Sequence, residues 1–358
     1  MSISGKKRNS IIEQDLEFII NHPLNWATLE GKTVLITGAN GFLPAYMVET
    51  LLFLNECKFS IPTKIICLVR SMDRAKQRFR FYSERKELKL IQTDINEPFD
   101  CKWPINFIIH AASQASPKYY GTDPVGTLLP NCIGTYNLLK FAQNNPVEGF
   151  LFFSSGEVYG EVDPTFIPIK EDYNGIVNSA RVRSCYAESK RIGETMCVSW
   201  HHQFNVPATI VRPFHTYGPG MKLDDGRVFA DFVSDIVNDN NIIMKSDGSA
   251  MRAFCYLADA IIGFFTILLK GKNGEAYNVG NPNGELSIKE LADTLISLFP
   301  EKKLKVIEIH KPTDNHYLKS NITRNCPDIS KIENLGWTPR FSVKEGFRRT
   351  IQSYKPEF

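Results

Sequence analysis

Six short apolar runs, KTVLITG (32–38), KIICLVR (64–70), LKLIQTD (88–94), INFIIHAA (105–112), GFLFFSS (149–155) and ATIVRPF (208–214), follow one another with helix-like segments between most of them. KTVLITG reads as a buried strand running into a turn, and Tyr46 to Leu54 as the helix that follows it. Strand and helix alternating in this way specify a parallel sheet covered on both faces. A short helix over residues 12–21 precedes the first strand. After about residue 220 the pattern becomes irregular: strand candidates NNIIMKS (240–246), EAYNVGN (275–281) and KLKVIEI (303–309) alternate with helices such as IKELADTLISLF (288–299). The expected fold is α/β, a doubly wound parallel sheet with a smaller C-terminal α/β lobe. The expected division is an extension at 1–31, the sheet domain at 32–220, and a lobe, mainly 221–358, that interlocks with it.

With 358 residues and 43% hydrophobic content, the chain can bury a large core in one domain or two unequal, interlocked ones. No apolar run reaches the length that crosses a bilayer, and Met1 to Asn9 is polar and basic without the apolar stretch of a signal peptide. The expected location is therefore the cytoplasm, with no membrane partner. A net charge of +3 is too small to imply a nucleic-acid partner, and the basic stretch from Arg70 to Lys89 is interrupted by Asp73, Glu84 and Glu87, as on a solvated helix face and loop. The eight cysteines show no CxxC or Cys/His ligand spacing and read as buried thiols, with no metal site expected.

Thr37-Gly38-Ala39-Asn40-Gly41-Phe42 lies between a strand and a helix, the setting in which a glycine motif binds a dinucleotide in a Rossmann-type sheet. Gly38 permits the tight turn, and Gly41 lets the backbone approach a pyrophosphate at the helix N-terminus, with Asn40, Phe42 and Leu43 beside it. Pro44 stands where a third glycine is usual, which a first helical turn tolerates. At the end of the second strand, the usual place of an acid that binds the NAD ribose, stand Arg70 and Ser71, with Arg74 nearby. A guanidinium there accommodates the 2′-phosphate of NADP; alternatively Arg70 stacks on adenine or faces solvent. Asp94 and Ile95 are placed for the adenine edge, and Ala111, Ala112 and Ser113 for the nicotinamide side.

SCYAESK (184–190) sets Tyr186 and Lys190 four apart, one helical turn, on the same face. An ammonium so placed lowers the phenol pKa and lets it act as a base, the chemistry of an alcohol oxidised by a nicotinamide. The spacing alone recurs by chance on exposed helices. Its company here is TGANGF (37–42), HAAS (110–113), FFSSGEVYG (152–160), YAESK (186–190) and RPFHTYGPG (212–220). With these motifs the chain, from about Lys32 to Tyr354, resembles the extended short-chain dehydrogenases/reductases of the nucleotide-sugar epimerase, dehydratase and decarboxylase branch.

The resemblance implies that Tyr186 removes the sugar 4-hydroxyl proton while hydride passes to bound NAD. It makes Lys190 the holder of the nicotinamide ribose and Ser155 a hydrogen-bond partner of the same sugar oxygen. Glu157 is an acid that dehydratases and decarboxylases carry and epimerases of the branch usually lack. Gly156 departs from the pattern, because dehydratases place an aspartate there and decarboxylases a serine. Within the branch, ASPKYYGTDPVGTL (115–128), NSARVRSCYAESKRIGETMC (178–197), DDGRVFADF (224–232), MRAFCYLADA (251–260) and RNCPDISKI (324–332) resemble the UDP-glucuronate decarboxylases. That likeness implies a nucleotide-sugar substrate met by Arg183, Arg227, Arg252 and Arg324; for Arg252 and Arg324 the alternative role is surface salt bridging. His215 stands where the branch usually has a substrate-contacting asparagine; a structural histidine is the alternative. It further implies a homodimer packed as a four-helix bundle that includes the Tyr186 helix. Two other outcomes stay open: dehydration or epimerisation of another nucleotide hexose, and a non-catalytic dinucleotide-binding regulator.

Overall fold

In the computed structural model, which describes residues 8–309 and 322–354, the six apolar runs are six strands of one seven-stranded parallel sheet. They are β1 (Thr33–Thr37), β2 (Lys64–Val69), β3 (Leu88–Gln92), β4 (Phe107–His110), β5 (Gly149–Phe153) and β6 (Ala208–Pro213). The helices of this part are α1 (Ser10–Ile20), α2 (Phe42–Cys57), α3 (Met72–Arg78), α4 (Lys118–Thr122), α5 (Pro124–Leu129), α6 (Thr135–Asn144) and α7 (Cys185–Phe204). Beyond them come β7 (His215–Tyr217), α8 (Val228–Val237), β8 (Ile242–Met244), β9 (Met251–Tyr256), α9 (Leu257–Lys270) and β10 (Ala276–Val279). The chain ends with β11 (Glu285–Ser287), α10 (Ile288–Ser297), β12 (Val306–Glu308), β13 (Arg324–Asn325), α11 (Ser330–Glu333) and α12 (Val343–Gln352).

The sheet order is β10-β6-β5-β4-β1-β2-β3. Strand succession reverses beside β1, and in open α/β sheets the crevice at such a reversal, outside the carboxyl ends of the strands, is where ligands settle. Alternation along each strand divides the core into two layers. Val34, Ile36, Ile65, Cys67 and Ile109 turn to the face covered by α2 and α9, with α1 packed across both helices. Leu35, Ile66, Leu68, Ile108 and Ile210 turn to the opposite face, covered by α6 and α7.

The strand read at 275–281 lies in the main sheet, not in the small lobe. Its core, β10, pairs parallel with β6, Ala276 opposite Ile210. The cause is α9, buried along Leu257–Leu268 and so apolar all round that only a core position suits it. It carries the chain back over the first face of the sheet and delivers β10 to the edge. The small lobe is built on β9, flanked by β11 antiparallel and by β13 and β7 parallel, while β8 and β12 pair parallel at the places read as 240–246 and 303–309. Cys67, Cys185, Cys197, Cys255 and Cys326 are buried, and Cys57, the last residue of α2, is exposed.

One buried carboxylate joins the extension to both lobes. Asp15 of α1, with no solvent exposure, accepts from the Tyr256 hydroxyl at 2.7 Å, the Tyr46 hydroxyl at 3.2 Å and Arg349 Nη2 at 2.6 Å. Burial raises its pKa, and the guanidinium and phenols pull it back down. Asp15→Ala would leave the Tyr46 phenol without its acceptor and the half-buried Arg349 without its carboxylate, and losing one partner of a buried pair costs about 3 kcal/mol or more. Urea denaturation is expected to show a loss of that size; a change under about 0.5 kcal/mol would make the cluster incidental.

Candidate active site

Three stretches meet at the carboxyl ends of the central strands. The first is the turn after β1. Gly38 has φ +61°, and a Cβ there would lie 2.7 Å from the Ala112 Cα, so the backbones of the turns after β1 and β4 touch. Thr37 Oγ1 fixes this contact by accepting from Ala111 N at 3.2 Å and Ala112 N at 3.1 Å. It also bonds His110 Nδ1 at 2.8 Å, while His110 Nε2 lies 3.0 Å from Thr135 Oγ1. Burial, with Lys190 adding to it, pushes His110 down to about 3, so the ring is a neutral strut. Gly41 is the N-cap of α2 and no side chain caps it. The first turn of a sixteen-residue helix therefore presents N–H groups and the positive end of its dipole beside a backbone cradle, which fits a pyrophosphate.

The second stretch is the end of β5 with α7 behind it. Gly193 lets the helix come close, since a Cβ there would sit 2.3 Å from the Phe152 ring. Lys190, 2% exposed, donates from Nζ to the Phe153 carbonyl at 2.5 Å. Its Nζ lies 5.7 Å from the centre of the Tyr186 ring, and that ring stacks on Tyr120 at 5.1 Å with 15° between planes. Burial pushes the Tyr186 phenol up to about 12, opposed chiefly by a hydrogen bond with Ser155 and, more weakly, by Arg227. The groups that lower the phenol are thus Ser155 and Arg227, whereas the spacing pointed to Lys190, whose ammonium is engaged by the carbonyl below. Burial pushes Lys190 itself down to about 7.

The third stretch comes from the small lobe and the loop before α7. Arg183 pairs with Glu157 at 3.3 Å and lies over the Tyr120 ring, and its Nε is buried without a partner. Arg252 is anchored through the Met251 carbonyl at 2.8 Å and the Ile322 carbonyl at 2.8 Å. Arg227 is paired with Asp225. His215 stands between Phe229 and Phe254 with Nδ1 buried and unpartnered. Burial, Arg252 and Arg227 together hold its pKa well below the usual histidine value, so it is neutral.

These stretches enclose one cavity of about 350 Å³. Of the residues singled out by sequence, it is lined by Gly38, Gly41, Phe42, Leu43, Ala111 and Ser113, by Ser155, Glu157, Tyr186 and Lys190, and by Arg183, His215, Arg227 and Arg252. Asn40, Arg70, Asp94, Ile95, Ala112 and Arg324 do not line it. Arg70 is exposed at the end of β2, and Ser71 is used as the N-cap of α3. Asp94 accepts from Asn96 N at 3.0 Å. Ile95 is buried, and a Cβ at Gly134 would lie 2.6 Å from its side chain. Arg324 is held by Glu285 in a double hydrogen bond of 2.8 and 2.7 Å.

Sequence reasoning missed Tyr120, Phe214 and Asn325, which also line the cavity. Tyr120 lies inside the ASPKYYGTDPVGTL segment, so it was within reach of the motif reading. Phe214 explains how the chain accommodates glycine at 156, where a Cβ would meet the Phe214 ring at 3.2 Å. Aromatic carbon occupies the space that a longer side chain would need.

The profile of the NAD dependent epimerase/dehydratase family matches residues 34–280, and the chain belongs to that family. It is 35% identical over 315 residues to UDP-glucuronic acid decarboxylase 6 of Arabidopsis thaliana, spanning 87% of this chain and 86% of that protein. It is 31% identical over 356 residues to UDP-glucuronic acid decarboxylase 1 of Danio rerio, spanning 99% and 80%. The fold is also that of UDP-glucuronic acid 4-epimerase from Bacillus cereus, solved with UDP-glucuronic acid and NAD, with TM-score 0.75 at 21% identity over 90% of this chain and 98% of that one.

Replacing Tyr186 by Phe removes the hydroxyl on which Ser155 acts while leaving the ring beside Lys190. Tyr186→Phe is expected to lower turnover about a thousandfold, within the range for losing a positioned acid–base group, while NAD stays bound. Product chromatography and extraction of bound cofactor check this; turnover within tenfold of wild type would remove Tyr186 from the chemistry.

Proposed function

We propose that the chain oxidises carbon 4 of a nucleotide sugar transiently and converts UDP-glucuronate to UDP-xylose and carbon dioxide. The observation that carries this reading is the joining of Tyr186, Ser155 and Lys190 with Glu157, Arg183 and Arg252 in one cavity. The likeness to UDP-glucuronic acid decarboxylases across most of both chains supports it.

NAD, held by the turn at Gly38 and Gly41 at the start of α2 and by the backbone at Ala111, would supply a hydride acceptor for carbon 4 of the sugar and return the hydride to the same carbon. The residues of the chain supply the rest. Tyr186, in the phenolate form that the cationic nicotinamide of bound NAD would favour, takes the proton of the 4-hydroxyl, with Ser155 bonded to the same oxygen. The 4-keto sugar is then a β-keto acid: its bond between carbons 5 and 6 breaks, carbon dioxide leaves, and the electron pair rests in an enolate that gains a proton at carbon 5. Tyr186 gives its proton back to the oxygen at carbon 4. Arg252 and Arg227 offer guanidinium groups to the diphosphate and the carboxylate, which such planar forks suit. The neutral His215 leaves a nitrogen open to the substrate between them.

Gly156 favours a second reading, 4-epimerisation, because that reaction needs no side chain acid at this place. A panel of nucleotide sugars separates the two. Stoichiometric carbon dioxide from UDP-glucuronate is expected; a 4-epimer or a 4-keto-6-deoxy product accumulating without gas would sink the decarboxylase reading.

The same reading includes a cytoplasmic homodimer. Among the described residues no helix is long and apolar enough to cross a membrane. Val125, Leu129 and Ile133 recur every fourth residue along α5 and the turn after it and are exposed, as are Tyr136 of α6 and Ile192 of α7. Such a face across these neighbouring helices suits an identical face from a second copy. Sedimentation is expected to show a dimer that Ile133→Lys converts to monomer; a monomeric wild type would contradict this.

A further inference from the structure

Three consecutive residues at the end of β5 meet three residues spaced four apart on α7. The Phe153 carbonyl accepts from Lys190 at 2.5 Å, the Ser154 hydroxyl donates to Glu194 Oε1 at 2.5 Å, and Ser155 lines the same cavity as the Tyr186 phenol, whose pKa it lowers. Helical positions i, i+4 and i+8 share a face, so Glu194 extends the line that Tyr186 and Lys190 begin. Unlike them it does not line the cavity. Its carboxylate is gripped from a second side by Arg212 of β6, from Nε at 2.8 Å and Nη2 at 2.6 Å. Arg212 is itself fixed, donating from Nη1 to the Tyr159 hydroxyl at 2.8 Å and the Glu171 carbonyl at 2.9 Å. Both side chains of the pair are 12% exposed. A carboxylate anchored this way cannot swing to solvent, and its charge stays one turn from a buried ammonium.

We propose that Glu194 is a positioning residue for the reaction, held by Ser154 and Arg212 so that its carboxylate keeps the Lys190 ammonium in place behind Tyr186. The inference rests on the carbon 4 oxidation reading. Burial is the largest influence on Lys190 and disfavours its charge, and Glu194 is the largest opposing one. The other groups facing the ammonium are the Cys132 and Cys197 thiols, the Tyr186 ring and the neutral His110. None of these carries the full negative charge that Glu194 does. Without that charge, Lys190 loses its proton at lower pH, and the Arg212 guanidinium faces no carboxylate, keeping its bonds to the Tyr159 hydroxyl and the Glu171 carbonyl.

Glu194→Gln keeps the size and an acceptor for Ser154 but removes the charge. With UDP-glucuronate as the probe, kcat is expected to fall about tenfold with KM little changed, and the high-pH limb of activity to move down by about one unit. Glu194→Asp should restore part of both. A second measurement needs no substrate: in NAD-loaded protein carrying 13C-lysine, the Lys190 resonance, assigned by its loss in Lys190→Arg, should titrate at lower pH in Glu194→Gln than in wild type. Ser154→Ala, which removes one of the grips, should shift it less and in the same direction. An unchanged Lys190 midpoint in both variants overturns the proposal whatever the substrate. A shifted midpoint in a protein that releases no carbon dioxide from UDP-glucuronate supports Glu194 and counts only against the substrate reading.

Discussion

The Lys190 ammonium sits in the interior at 2% exposure on a single short hydrogen bond to the Phe153 carbonyl, and the site is arranged around that burial. Taking a charge out of water costs several kcal/mol unless its partners are fixed beforehand. Here they are fixed by the fold. β5 lies in the middle of the sheet, so its last carbonyl has a defined place, and Gly193 removes the side chain that would keep α7 away from Phe152. The helix then carries Tyr186 over the crevice, where the Tyr120 ring backs it and Ser155 faces its hydroxyl. Were α7 to slide by one turn, all of these contacts would be lost together.

Opposite this face the cavity is cationic and partly neutralised. Arg183 has Glu157, Arg227 has Asp225, and Arg252 is braced by backbone carbonyls. A substrate with a diphosphate and a sugar carboxylate brings negative charge to meet this excess. Burial, and with it the two arginines near His215, keep its imidazole neutral, so His215 adds no further positive charge beside Arg227 and Arg252. Phe214 closes over Gly156 and leaves Glu157 as the acid on that wall.

Much of the sheet was legible because a buried parallel strand is a short apolar run and each run announced itself. β10 was read as a strand but in the wrong lobe: its place depends on α9, whose uniform burial has no amphipathic stripe to say which surface it covers. In the site, Gly38, Gly41, Tyr186 and Lys190 were readable because turn geometry and helical spacing are local properties, and Ser155 was reached through the resemblance of its motif to the family. Arg324, Asp94 and Arg70 fall outside the cavity lining, since a side chain's partner, such as Glu285 for Arg324, is chosen by packing between distant segments. Phe214 and the Thr37–His110 strut escaped for the same reason. Their roles come from contacts across the crevice that no spacing encodes.

If Tyr186, Ser155 and Lys190 act as argued, hydrogen leaves carbon 4 as hydride and comes back to the same carbon within one turnover. UDP-glucuronate deuterated at carbon 4 tests this directly, with the product analysed by NMR in ordinary water. The account predicts that deuterium is retained at carbon 4 and that a solvent hydrogen appears at carbon 5. Product with solvent hydrogen at carbon 4, or one reduced nicotinamide released for each sugar consumed, would contradict it.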